Sequence, residues 1–126
     1  MQLAAGLAGR VKLTVGDADT AQALGSGDVP VLATPRVVAL VEAAAVAATA
    51  AQLELGSTTV GTRIELDHLA ATPVGRQVTG EAEVTKVDGR QIEFTVRATE
   101  GGKAIGAGSH SRVVIDVAKF ARRLGS

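Results

Sequence analysis

The sequence has no cysteine, no tryptophan and no tyrosine, and only Phe94 and Phe120 carry benzene rings. Without thiols, neither disulfides nor thiolate metal sites can form, a composition that fits the reducing cytoplasm. Two phenylalanines cannot build the stacking platform that single-stranded nucleic acid uses. An excess of one charge is missing too, because 13 Lys and Arg balance 13 Asp and Glu. No strong field therefore draws a polyanion or an anionic membrane surface, and neither nucleic acid nor a membrane is an expected partner. Residues Met1 to Arg10 lack the basic start and apolar run of a secretory signal. The most apolar stretch, Val37 to Leu53, is alanine-rich and contains Glu42, which makes it short and weakly hydrophobic for a membrane span.

What is present suits one domain covering residues 1–126. A chain of this length buries roughly two thirds of its unfolded surface. Arg10 to Val15 alternates, with Val11, Leu13 and Val15 on one face of an expected strand. Asp17 to Leu24 is ambiguous and compatible with a short helix, and residues 25–28, Gly-Ser-Gly-Asp, read as a loop. A long helix is expected next. Thr34 would be its N-cap, Pro35 its first residue and Gly56 its C′ residue. Its apolar residues surround the axis, so most of it should be buried.

Four strands are expected after the helix. Val60, Ile64, Leu66 and His68 share one phase of 58–68, and Val78, Gly80, Ala82 and Val84 point inward from 76–86. Ile92, Phe94, Val96 and Ala98 point inward from 90–99, and Ile105, Ala107, Val113 and Ile115 from 103–115. A one-residue slip would flip every side chain. A bulged three-residue loop at 87–89 avoids this by pairing Val84 with Ile92 and Ala82 with Phe94. A two-residue Gly101-Gly102 loop pairs Glu100 with Lys103, Ala98 with Ile105 and Val96 with Ala107. The last three strands then form a meander, and a curved antiparallel sheet must wrap the helix. Lys119 to Arg123 reads as a short, solvated basic end.

Few residues could carry chemistry. Glu42 lies mid-helix among Leu40, Val41, Ala43 and Ala44. Burying its charge without partners costs several kcal/mol, so it faces either solvent at an open edge or a cleft. His68 shares the inward phase of its strand, where it is either a satisfied core residue or a general base. Thr34 is sufficient as an N-cap, yet its hydroxyl would also sit beside backbone N–H groups able to hold an oxyanion. His110 falls opposite Glu93 in the expected register and reads as a surface residue. No HExxH, Walker A or dinucleotide GxGxxG pattern occurs, and no metal or cofactor is expected.

The order of several short stretches resembles one family. Val31-Leu32-Ala33-Thr34-Pro35, Val41-Glu42, Thr59-Val60-Gly61-Thr62 and Asp67-His68-Leu69-Ala70-Ala71-Thr72-Pro73 are similar to the fluoroacetyl-CoA thioesterase-like family of hotdog-fold proteins. The likeness continues through Val87-Asp88-Gly89 and His110-Ser111-Arg112, and so covers most of the chain. The resemblance implies an α+β hotdog fold, a long central helix wrapped by a curved antiparallel sheet. It also implies a homodimer, with a tetramer of paired dimers as the alternative, and hydrolysis of a small or medium acyl-CoA thioester. The family's catalytic residues fall on Thr34, Glu42 and His68, and its ligand contacts on Gly61 and Arg112. Regular strand phases put both ligand contacts on the face opposite His68. The fluoroacetyl-specific member gates its substrate with phenylalanines before the threonine, whereas 24–32 here has no aromatic residue. Halogen selectivity is therefore not implied.

In the expected mechanism His68 is the base, Thr34 is the nucleophile or holds the water, and Glu42 orients His68 or activates the water. Eight helical residues separate Thr34 from Glu42, roughly 12 Å along a straight helix. A site shared between two subunits resolves that distance. The alternative function is a non-catalytic binder of acyl thioesters. A dehydratase or hydratase on the same fold is the third reading, weakened because neighbouring Asp67 and His68 point to opposite faces.

Overall fold

The computed structural model describes residues 2–125. The chain opens with strand β1 (Ala8–Thr14), a 3₁₀ turn and the short helix α1 (Ala21–Leu24), then enters the long helix α2 (Thr34–Thr49). Strands β2 (Ser57–His68), β3 (Gln77–Asp88), β4 (Gln91–Glu100) and β5 (Lys103–Asp116) follow, and helix α3 (Val117–Gly125) ends the described chain. All strand pairs are antiparallel, in the order β1-β3-β4-β5-β2, so β1 and β2 form the two edges. Strands β3 to β5 form the expected meander.

Helix α2 lies across the concave face of this sheet. Val37, Leu40, Val41, Ala44, Ala45 and Ala48 form its buried stripe, packed with Val78, Val84, Ile92, Phe94 and Val96 of the strands. Thr34–Gln52, with a 3₁₀ turn closing the helix, has a mean hydropathy of 1.3 and by composition alone would pass for a membrane span. Its inner stripe instead fills the core, while Ala39, Ala43, Val46 and Ala47 are exposed. Close approach of helix and sheet depends on small residues. A Cβ on Gly9 of β1 would strike the backbone oxygen of Ala44 and the backbone nitrogen of Ala48.

Both expected helix ends are corrected. Ala33, not Thr34, is the N-cap, and no side chain caps the helix. The helix stops at Thr49, and the 3₁₀ turn Ala50–Gln52 takes over, so Gly56 (φ 87°) serves the turn into β2. The basic end at Lys119 to Arg123 forms part of α3, whose first turn is held by the Asp116 carboxylate accepting from the Lys119 amide at 2.9 Å.

The strand registers differ from expectation by three bulges, each of which adds one residue to one strand. In β3 the extra residue is Thr85. The hairpin closes with Asp88 opposite Gln91, and Val84 pairs with Phe94 and Ala82 with Val96, not with Ile92 and Phe94. In β5 the Gly101-Gly102 loop pairs Glu100 with Lys103 as expected, but Ile105 is extra. Ala98 then meets Gly106, and Val96 meets Gly108. Beyond Ile105 the inward set is therefore Gly106, Gly108, His110, Arg112 and Val114, in place of Ala107, Val113 and Ile115. In β2 the extra residue is Thr62, so Thr59 and Gly61 face inward before it, and Ile64, Leu66 and His68 after it. Val60, expected inward, lies opposite Val113 on the other face.

Because the obstacle at Gly9 is helix backbone, Gly9→Ala should destabilise the fold by roughly 1–3 kcal/mol. Chemical denaturation measures this. An unchanged midpoint would mean that α2 does not rest on β1 as described.

Candidate active site

Two polar clusters occupy the inner face near β2. The first joins the start of α2 to the end of β2. Relieved of any capping role, the Thr34 hydroxyl lies 2.8 Å from His68 Nδ1. His68 faces inward because it shares the phase of Ile64 and Leu66 beyond the Thr62 bulge, with Gly106 opposite it. Its other ring nitrogen, Nε2, is buried and has no hydrogen-bond partner among the described residues. Buried ring nitrogens normally have a hydrogen-bond partner, so Nε2 keeps the capacity for one. The pair opens on a cleft of about 350 Å³ lined by Ala21, Ser26, Val31, Leu32, Leu69 and Ala70. No aromatic residue lines it.

The oxyanion donors expected from the first turn of α2 are mostly committed. Pro35 has no N–H, and the amides of Arg36 and Val37 both donate to the Ala33 carbonyl, at 3.0 and 3.1 Å.

The second cluster centres on Arg112, only 7% exposed. Its Nε donates to Thr59 Oγ1 at 2.9 Å and its Nη2 to the Thr59 carbonyl at 3.0 Å. Its Nη1 lies 3.2 Å from Glu42 Oε2 and 3.1 Å from His110 Nε2. Glu42 keeps 39% of its side chain exposed, so it is neither a buried lone charge nor a free surface residue. Gly61 completes the group, since a Cβ there would stand 2.6 Å from Glu42 Oε2. Glu42, Gly61, Thr62, Arg63, Ile64 and His110 line a second cleft of about 250 Å³.

Gly61 and Arg112 thus face the same side as His68, contrary to the phases of regular strands. The bulges at Thr62 and Ile105 re-phase both strands and bring them inward. The same shift corrects His110. It lies opposite Phe94, not Glu93, and is buried with its ring stacked on Phe94 at a centroid distance of 5.8 Å. His110 Nδ1 lies 2.7 Å from the Arg63 carbonyl, which can only accept, so Nδ1 carries the proton and Nε2 accepts from Arg112. Burial holds the His110 pKa below its ordinary value of 6.5, and the neighbouring Arg112 charge adds to that effect against the Arg63 carbonyl and Glu42, which oppose it. Within one chain, then, Thr34 and His68 meet, Glu42 meets Arg112 and Gly61, and the two groups line separate clefts.

Residues 15–118 match the family model described as FlK, fluoroacetyl-CoA-specific thioesterase. The chain belongs to this family. It is 46% identical over 90 residues to the fluoroacetyl-CoA thioesterase of Streptantibioticus cattleyicolor, a match covering 71% of this chain and 65% of that protein. The solved fluoroacetyl-CoA thioesterase FlK superposes with a TM-score of 0.91 at 35% identity, covering 98% of this chain and 96% of that one. A Thermus thermophilus member of the thioesterase superfamily gives 0.89 at 29% identity, covering 98% and 94%. The FlK-family chain therefore has the hotdog fold: the central helix α2 and the five-stranded antiparallel sheet around it.

The depressed pKa of His110 has a sign. A histidine that binds its proton less well when folded stabilises the fold fully above its unfolded pKa, and that stability is lost as the pH falls from 6.5 through the lowered folded value. Melting temperature should therefore fall with acidification in this window, and His110→Gln should remove part of the slope. Thermal unfolding across the window measures it, and parallel slopes in both proteins would contradict a neutral, buried His110.

Proposed function

We propose that this chain is an acyl-CoA thioesterase that hydrolyses small or medium acyl-CoA esters at a site shared between two subunits. The observation that carries the reading is the 2.8 Å contact between Thr34 Oγ1 and His68 Nδ1. A helix-start threonine would ordinarily cap; this one meets a histidine in the lining of a cleft. A variant of the family's FlK enzyme has been solved in complex with acetyl-CoA, which supports a CoA thioester as substrate.

His68 Nδ1 takes the proton from the Thr34 hydroxyl, or from water held by it, as the oxygen attacks the thioester carbonyl carbon. The tetrahedral intermediate collapses with loss of the CoA thiolate, and the proton held by His68 passes to the leaving sulfur. If Thr34 itself attacked, a water then releases the acid from it in a second round of the same steps. Glu42 supplies the negative charge that favours the imidazolium. Residues 24–32 carry no aromatic gate, so selectivity for the fluoroacetyl group does not follow from the fold alone.

Glu42 reaches this centre from a second copy of the chain. β2 is a sheet edge, and the outer side of α2 beside it exposes Ala39, Ala43, Val46 and Ala47. An isologous, antiparallel pairing of two β2 edges centred on Glu65, with Thr62 again the extra residue, sets His68 of each chain opposite Gly61 of the other, and Gly61 adjoins Glu42. A homodimer carries two such sites, and dimers pairing into a tetramer preserve them. The cysteine-free, charge-balanced composition suits a cytoplasmic location.

Thiol release from a panel of acyl-CoAs tests the activity. His68→Ala and Glu42→Gln, the latter keeping an acceptor for the buried Arg112, should each lower kcat by a factor of about 100 or more while the proteins stay folded. Tight binding of the esters with no thiol release from wild type would instead establish a non-catalytic acyl-thioester binder.

A further inference from the structure

His110 is not among the residues that the family resemblance assigns to the site, yet it is one of the most deeply buried polar side chains in the chain, at 2% exposure. Its surroundings are specific. Phe94 covers one ring face, the Arg63 carbonyl accepts a hydrogen bond from Nδ1, and Nε2 is turned toward Arg112 Nη1 at 3.1 Å, with Glu42 Oε2 at 3.8 Å. The charged groups facing it are Glu42 from α2 and Arg112 from β5 itself; on β2 it meets the Arg63 backbone, while the Arg63 side chain is exposed and pairs with Glu65.

The bond to Arg63 decides what His110 can do. With its proton fixed on Nδ1, the ring presents only a lone pair to the guanidinium. Arg112 is already fastened to Thr59 through Nε and Nη2. Nη1 has two protons: one goes to His110 and the other to Glu42 Oε2. Remove the acceptor, and Nη1 has a second proton free to turn toward the carboxylate. A carboxylate drawn further onto the guanidinium is a poorer partner for another subunit's imidazole.

We propose that His110 is a positioning residue: its Nε2 lone pair anchors Arg112 so that Glu42 is held by a single hydrogen bond and keeps its remaining capacity for the reaction. This rests on the thioesterase reading and assigns a further residue to its site.

Two substitutions separate positioning from packing. His110→Asn keeps a donor near the Nδ1 position but is too short to accept from Arg112. His110→Gln can place its carbonyl oxygen where Nε2 was, and so restores the acceptor. For His110→Asn, kcat for thioester hydrolysis should fall about tenfold with KM changed much less, the scale of one lost hydrogen bond to a charged group. His110→Gln should recover most of that loss. Nitrogen-15 NMR of the wild type should show His110 protonated at Nδ1 and bare at Nε2, and solvent exchange of the Arg112 Nε proton should quicken in His110→Asn but not in His110→Gln. Equal kcat in His110→Asn and wild type, equal damage by both substitutions, or a proton on Nε2 would overturn the proposal. If the wild type hydrolyses no thioester, the function fails on its own, and the ring tautomer and the Arg112 exchange rates alone decide whether His110 anchors the guanidinium.

Discussion

A guanidinium buried beneath the edge of a sheet must find partners for its N–H groups, and much of the site follows from how Arg112 does so. Taking such a charge out of water costs several kcal/mol unless hydrogen bonds and an opposite charge replace the hydration. Thr59 from β2, His110 from β5 and Glu42 from α2 supply them. These come from three different elements, so satisfying one cation locks the helix, the edge strand and its neighbour in one arrangement. The same demand explains why residue 61 is glycine: any side chain there would push against the Glu42 carboxylate and the Arg112 guanidinium.

The bulges make that arrangement reachable. Without the extra residue at Ile105, His110 and Arg112 would point away from the helix. Without the one at Thr62, Gly61 would point away from His68. Each insertion locally disturbs one ladder and re-aims every side chain beyond it. The hydrophobic core tolerates this because Ile105 and Gly106 are both buried at the bulge, and the glycines at 106 and 108 demand little room over the inner face.

Much of the fold was legible in the sequence. The alternation of β1, the meander and the alanine-rich helix all follow from hydrophobic period and turn residues. So do the inward phases of Phe94, Val96 and Leu66, because each lies in a stretch whose alternation is uninterrupted. The registers were not legible. Choosing the loop that matched apolar faces located the extra residue of β3 in the hairpin loop, whereas the strand absorbs it at Thr85. In β5 the true inward residues after Ile105 are two glycines, a histidine and an arginine, so hydrophobicity pointed to the wrong phase. That is why His110 read as a surface residue. The capping role of Thr34 was likewise the ordinary expectation, and only the proximity of His68, 34 residues away, shows where the hydroxyl goes.

The central claim is that the Thr34–His68 pair of one chain works with Glu42 of another, since within one chain the two groups line separate clefts. Complementation tests it directly. Thr34→Ala and Glu42→Gln chains, each inactive alone, would be mixed, denatured and refolded together, and thiol release measured. A shared site leaves one intact centre in every mixed dimer, so about a quarter of wild-type activity should return from an equal mixture. If the mixture stays as inactive as its parents, although mixed dimers have formed, each chain carries its own complete site and the shared arrangement is wrong.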